Sequence, residues 1–196
     1  CTIWRWPMPN DAILDTVVEY HLGYMKGCDL LERIADALPQ PIDPTICDAA
    51  VELLVREVPL HRHEQEEHLF PLLRERALPE DEIETWLQQL YAEHVADEGA
   101  AMELVEVLPD LATRTPVADP NTVGYMLRSF FEVFRRHLNW EQHLIFPLAN
   151  ARLTDAELEQ IEAQMRIHRQ GLRAGNPWAE QLSRLPGLNE QPRARR

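Results

Sequence analysis

An all-α fold, an up-down-up-down four-helix bundle with a short extra C-terminal helix, is predicted by three features of the sequence. Apolar residues recur at three- and four-residue steps, prolines cut the chain into long stretches, and one helix pair is repeated. Only seven glycines in 196 residues, amid many Leu, Ala, Glu and Arg, favour helix over strand. Prolines punctuate the chain at 39–44, 71–79, 109–120, 147 and 177, and the apolar periodicity between them places helices at about 11–38, 45–76, 80–112 and 120–150. A shorter fifth helix at about 155–172 opens on the cap signal Thr154-Asp155 and carries Leu158, Ile161, Met165 and Leu172 on one side. Residues 1–175 form one domain in this reading, and the Pro- and Arg-containing stretch 176–196 is a tail.

Composition narrows the function classes. Thirty-three acidic against nineteen basic side chains give a net charge of −14, a field that repels phosphate backbones and anionic lipid. Nucleic acid and membrane are therefore not expected as partners. No stretch approaches the ~18 apolar residues of a membrane span, and the first residues lack a signal-peptide pattern, so a cytoplasmic location is expected. Cys1, Cys28 and Cys47 form no C-x-x-C pair and read as reduced thiols. Glycine-rich nucleotide loops are missing from the sequence.

The repeat joins the second and fourth helices. Val51, Leu54, Val55, Val58, His61, Leu69, Phe70 and Pro71 align with Leu127, Phe130, Phe131, Phe134, His137, Ile145, Phe146 and Pro147. A weaker match relates the first and third helices through His21 and His94. On a regular helical wheel Leu54, Val55, Val58, Leu69, Leu72 and Leu73 fall within about 60° of one direction, the core. His61 and Gln65 point inward on that wheel, as do His137 and Glu141 at the equivalent places. His94 sits inside the stripe Ile83, Leu87, Leu90, Tyr91, Ala101, Val105 and Leu108, with Glu98 on its edge. His21 lies among Leu14, Val17, Val18, Met25 and Cys28.

Each long helix thus aims one histidine at a shared axis. Imidazoles and a carboxylate among Leu and Phe cost several kcal/mol unless satisfied, and a metal ion satisfies all of them together. His-x-x-x-Glu on one helix face suits two ligands of one cation, or a ligand beside a bridge between two. The pair His63 and Glu67 has the same spacing but faces solvent, unless Pro59 rotates the helix. His68 reads as a rim residue, His143 and His168 as surface, and Cys28 as core.

The segments "HRHEQEEHLFPLL" and "HLNWEQHLIFPL" resemble the H-x-x-x-E…L-F-P signature of hemerythrin-like (HHE) domains, over about residues 11–150. The resemblance implies a non-heme iron protein with two ions per chain and His21, His61, His94, His137 and Glu141 as ligands. The family's second-helix glutamate is Gln65 here, whose neutral amide cannot bridge two cations as a carboxylate does. Either Glu66 or Glu98 supplies the missing charge, or the site holds one ion or fills weakly. Members of the iron-centre-repair branch are similar in carrying acids at the places of Glu57 and Glu93, residues that otherwise read as helix surface. The implied function is binding of, or reaction with, a small diatomic or peroxide (O2, NO, H2O2). The alternative is a metal-dependent sensor or iron donor without turnover. Ferritin-like oxidation would need Glu-x-x-His pairs, which the sequence lacks.

Overall fold

The computed structural model describes residues 15–112 and 119–173, and these are helical with no strand. Five helices are present among them. Helix α1 is Asp15–Ala37, α2 covers 44–76, α3 is Ile83–Leu111, α4 covers 120–152 and α5 is Asp155–Arg173. The expected tail and the first residues of the expected 11–38 helix lie outside the described residues, as does Leu14.

Local chemistry explains where the helices begin. Asp43 accepts from the Thr45 amide at 2.8 Å ahead of Pro44 at the first helical position of α2. Asp119 does the same for Thr122 at 3.0 Å ahead of Pro120 at the start of α4. At α5 the Glu157 amide donates to Thr154 Oγ1, while the Thr154 amide donates to Glu157 Oε2 at 2.8 Å, a reciprocal cap.

Helices α2 and α4 are not regular. Leu53–Glu57, Gln65–Leu69 and Glu141–Ile145 are π-helical turns, and each ends two residues before a proline, Pro59, Pro71 and Pro147 respectively. A proline inside a helix lacks an N–H and its ring collides with the carbonyl four residues back, which here is in the middle of the π turn. The wider turn moves that carbonyl away, so the helix continues past the proline without breaking. One consequence corrects the wheel. Val55, expected in the core, is 56% exposed, and Leu53 takes the buried place instead.

Packing places two apolar clusters along the helices. One contains Tyr24, Cys28, Leu31, Leu54, Val58, Ala101, Leu104, Leu127, Phe130 and Phe134. The other contains Val17, Leu69, Phe70, Leu87, Leu90, Ile145, Phe146, Ile161 and Met165. Helices α1 and α3 pass from the second cluster to the first, whereas α2 and α4 pass from the first to the second. On every one of the four, the histidine stands between the two clusters. Helix α1 packs against α4 and α2, and α3 packs against α2 and α4, while α5 lies against the second π turn of α2. No helix among the described residues is long and apolar enough to cross a membrane.

Candidate metal centre

Between the apolar clusters His21, His61, His94, His137 and Glu141 are all buried, none more than 3% exposed. Glu141 is the hub. Its Oε2 lies 3.3 Å from His21 Nε2 and 3.2 Å from His61 Nε2. Its Oε1 accepts from His137 Nε2 at 2.9 Å and stands 3.8 Å from His94 Nε2. Each carboxylate oxygen thus faces its own pair of imidazoles. The ligand atoms of His61, His94, His137 and Glu141 lie within 4.8 Å of one another.

The outer ring nitrogens are held by further acids. His94 Nδ1 donates to Glu66 Oε1 at 2.9 Å, which leaves Nε2 facing the cluster. His137 Nδ1 lies 3.2 Å from Asp97 Oδ2 and 3.5 Å from Glu93 Oε2. Such carboxylates fix the ring orientation and raise the basicity of the inward nitrogen. Phe70 stacks on His94 with centroids 5.9 Å apart, and Phe146 meets His21 edge-on at 4.8 Å, so the two Phe-Pro motifs close equivalent sides of the site. The prolines of the same motifs set the π turns that begin at Gln65 and Glu141.

Electrostatics divide the histidines. Burial holds the His21 pKa down at about 3, against the pull of Glu141, and burial likewise lowers that of His61. Burial also opposes charge on His137, but Glu141 and Asp97 outweigh it and hold its pKa up at about 10. Glu141 itself is buried, yet His61 and His137 keep it ionised, with a pKa well below the ordinary value.

Several polar atoms in the cluster have no hydrogen-bond partner among the described residues: both ring nitrogens of His21, Nε2 of His61 and of His94, and both amide atoms of Gln65. Leaving them so costs of the order of 1–3 kcal/mol each. Nitrogen lone pairs around an ionised carboxylate are the donor set of a divalent or trivalent first-row metal. The residues therefore fit a metal ion.

Not every residue expected at the site reaches it. Glu98 is turned outward by Arg62, whose Nη1 donates to its Oε2 at 2.6 Å. Glu66 touches the back of His94 and also accepts from Arg62 Nε at 3.1 Å, so it enters the cluster through the histidine and not through its centre. Gln65 is buried beside His21 and His61. Glu93 stands behind His137, whereas Glu57 stands elsewhere, accepting from Arg169 Nη1 at 3.2 Å. His143 is exposed and bonded to the Asn139 carbonyl, and Pro59 does not turn His63 and Glu67 inward, since both remain exposed. Cys28 is core, with burial raising its thiol pKa to about 12.

Sequence reasoning missed Asp97 because its partner, His137, lies on another helix, and a wheel of α3 alone does not show which ring it faces. It also missed Arg169, which is 3% exposed and donates to Glu57, Glu64 and the Tyr24 hydroxyl while lying over the Tyr20 ring at 3.6 Å. The signal was present: Glu162 and Arg169 fall on the stripe Leu158, Ile161, Met165 and are buried with it. A cavity of about 10 Å³, room for one water-sized molecule, is lined by Tyr20, His21, Tyr24, His61, Gln65 and Arg169, among others.

Among the described residues these features define a helical fold built around a buried cluster of histidines and one carboxylate that fits a metal ion. The chain belongs to the family described as the hemerythrin HHE cation-binding domain, whose model matches residues 12–149. No significant match is found among curated proteins or among solved structures.

Proposed function

We propose that this chain is a hemerythrin-type non-heme iron protein that holds two ions sharing Glu141 and binds a small diatomic molecule or peroxide. The order in which the four long helices pass the two apolar clusters supports an up-down-up-down bundle around that centre. The observation that carries the reading is the division of Glu141, one oxygen for His21 and His61 and the other for His94 and His137. One carboxylate serving two imidazole pairs suits two cations better than one. Bound iron would supply the gas-binding and redox chemistry.

The protein's own groups have separate tasks. Glu66 and Asp97 orient the rings of His94 and His137 from behind. Phe70 and Phe146 keep bulk water from two sides. The Gln65 amide, unpartnered beside the cavity, is placed to donate a hydrogen bond to a small ligand there. The cavity, with room for one water-sized molecule, suits a ligand of very few atoms over any larger substrate.

The test is metal analysis of the purified chain together with its visible spectrum under O2 and under NO. Iron approaching two per chain with a gas-dependent absorption band is expected. A chain that takes up no iron, or an iron-loaded chain whose spectrum ignores both gases, contradicts the proposal.

A further inference from the structure

A second group of metal-binding side chains lies away from the buried centre. His63 and His68 of α2 and His168 of α5 each offer a ring nitrogen, and these atoms all lie within 4.8 Å of one another. The rings of His63 and His168 meet at a centroid distance of 4.5 Å, and those of His63 and His68 at 6.0 Å. None of the three is buried.

The grouping depends on the π turn. Residues five apart on a regular α-helix point about 140° apart, so His63 and His68 belong to different faces of the wheel. His68 sits inside the π turn Gln65–Leu69, where the wider winding brings residues five apart toward one line. Packing of α5 on that same turn then adds His168.

We infer that His63, His68 and His168 form a surface site for a borderline divalent cation such as Zn²⁺, Cu²⁺ or Ni²⁺. Three neutral imidazoles with one open position are a common ligand set for these ions. Nitrogens around a tetrahedral ion at ~2.0–2.1 Å stand about 3.4 Å apart, so the present group closes on an ion by small rotations of side chains that are not packed in the core. A cation held there ties α5 to α2. It sits one residue from Arg169, which lines the cavity beside His21 and His61, so occupancy fixes that wall of the cavity. The inference does not depend on what fills the buried centre.

Cu²⁺ and Zn²⁺ themselves are the probes, added to the purified chain with its buried centre already filled. One further equivalent of Cu²⁺ is expected to bind with nitrogen superhyperfine structure in its electron paramagnetic resonance spectrum. His168→Ala and His68→Gln should each weaken Cu²⁺ and Zn²⁺ binding at least tenfold, while His143→Ala should leave it unchanged. The His137→Ala chain, lacking a buried ligand, should keep the surface equivalent. If His168→Ala and His68→Gln, both shown folded by circular dichroism, bind the extra Cu²⁺ as tightly as the unsubstituted chain, the site is overturned. It is also overturned if no extra equivalent binds.

Discussion

At Glu141 a single side chain determines how the four imidazoles are shared, and the neutrality of Gln65 determines how much negative charge they share. Loss of His137 removes a ligand and leaves Glu141 and Asp97 as buried carboxylates without their common partner. Iron per chain should therefore fall at least tenfold in His137→Ala and stay unchanged in His143→Ala, whose ring is exposed. Gln65→Glu restores the acid that the family carries, and iron binding to the second position should tighten, with stoichiometry moving toward two. Metal analysis at limiting iron decides this, and an unchanged binding curve would contradict the charge deficit assigned to Gln65. The five inward residues were readable from sequence because apolar periodicity fixes a helix face without any knowledge of its neighbours. The inward place of Arg169 was also on the stripe of its helix, but its partners, like that of Asp97, depend on which residues oppose them across the helix interfaces.

Three prolines explain why the second and fourth helices depart from the wheel. Each is preceded by a π turn, and the added winding changes which residues face inward upstream of it. His61 and His137 kept the inward position expected of them, since each lies before the π turn of its own Phe-Pro motif. Val55 did not, because Pro59 widens the turn that contains it. Leu53→Ala should then cost ~2–5 kcal/mol of folding stability, as for a fully buried leucine, whereas Val55→Lys should cost under about 0.5 kcal/mol. Denaturant unfolding compares the two, and equal losses would mean that α2 is regular in solution. The surface histidine group was unreadable for the same reason, as a wheel without the π turn sends His63 and His68 to opposite sides.

At the scale of the fold, two apolar clusters among the described residues are joined through a polar layer, so stability is tied to the charge state of that layer. In the metal-free chain His21 and His61 are held neutral by burial, with the His21 pKa at about 3. Below their unfolded value of about 6.5 the unfolded chain takes up protons that the folded chain refuses, so stability falls as pH drops from about 6.5 toward 3. His137 acts in the opposite sense: it keeps its proton up to about 10, so its contribution is fully present below about 6.5 and is lost as pH rises toward 10. Melting temperature of the metal-free chain should therefore peak near pH 6.5. The alkaline decline should disappear once metal displaces the His137 proton, and a metal-free chain with a flat profile between pH 6.5 and 10 would contradict this charge assignment. The arrangement of four helices around one divided carboxylate is tested most directly by anomalous scattering at the iron edge from crystals of the iron-loaded chain. Two iron peaks are expected, one beside each oxygen of Glu141. Iron found only at His63, His68 and His168, or no iron within the cluster of His21, His61, His94 and His137, would contradict it.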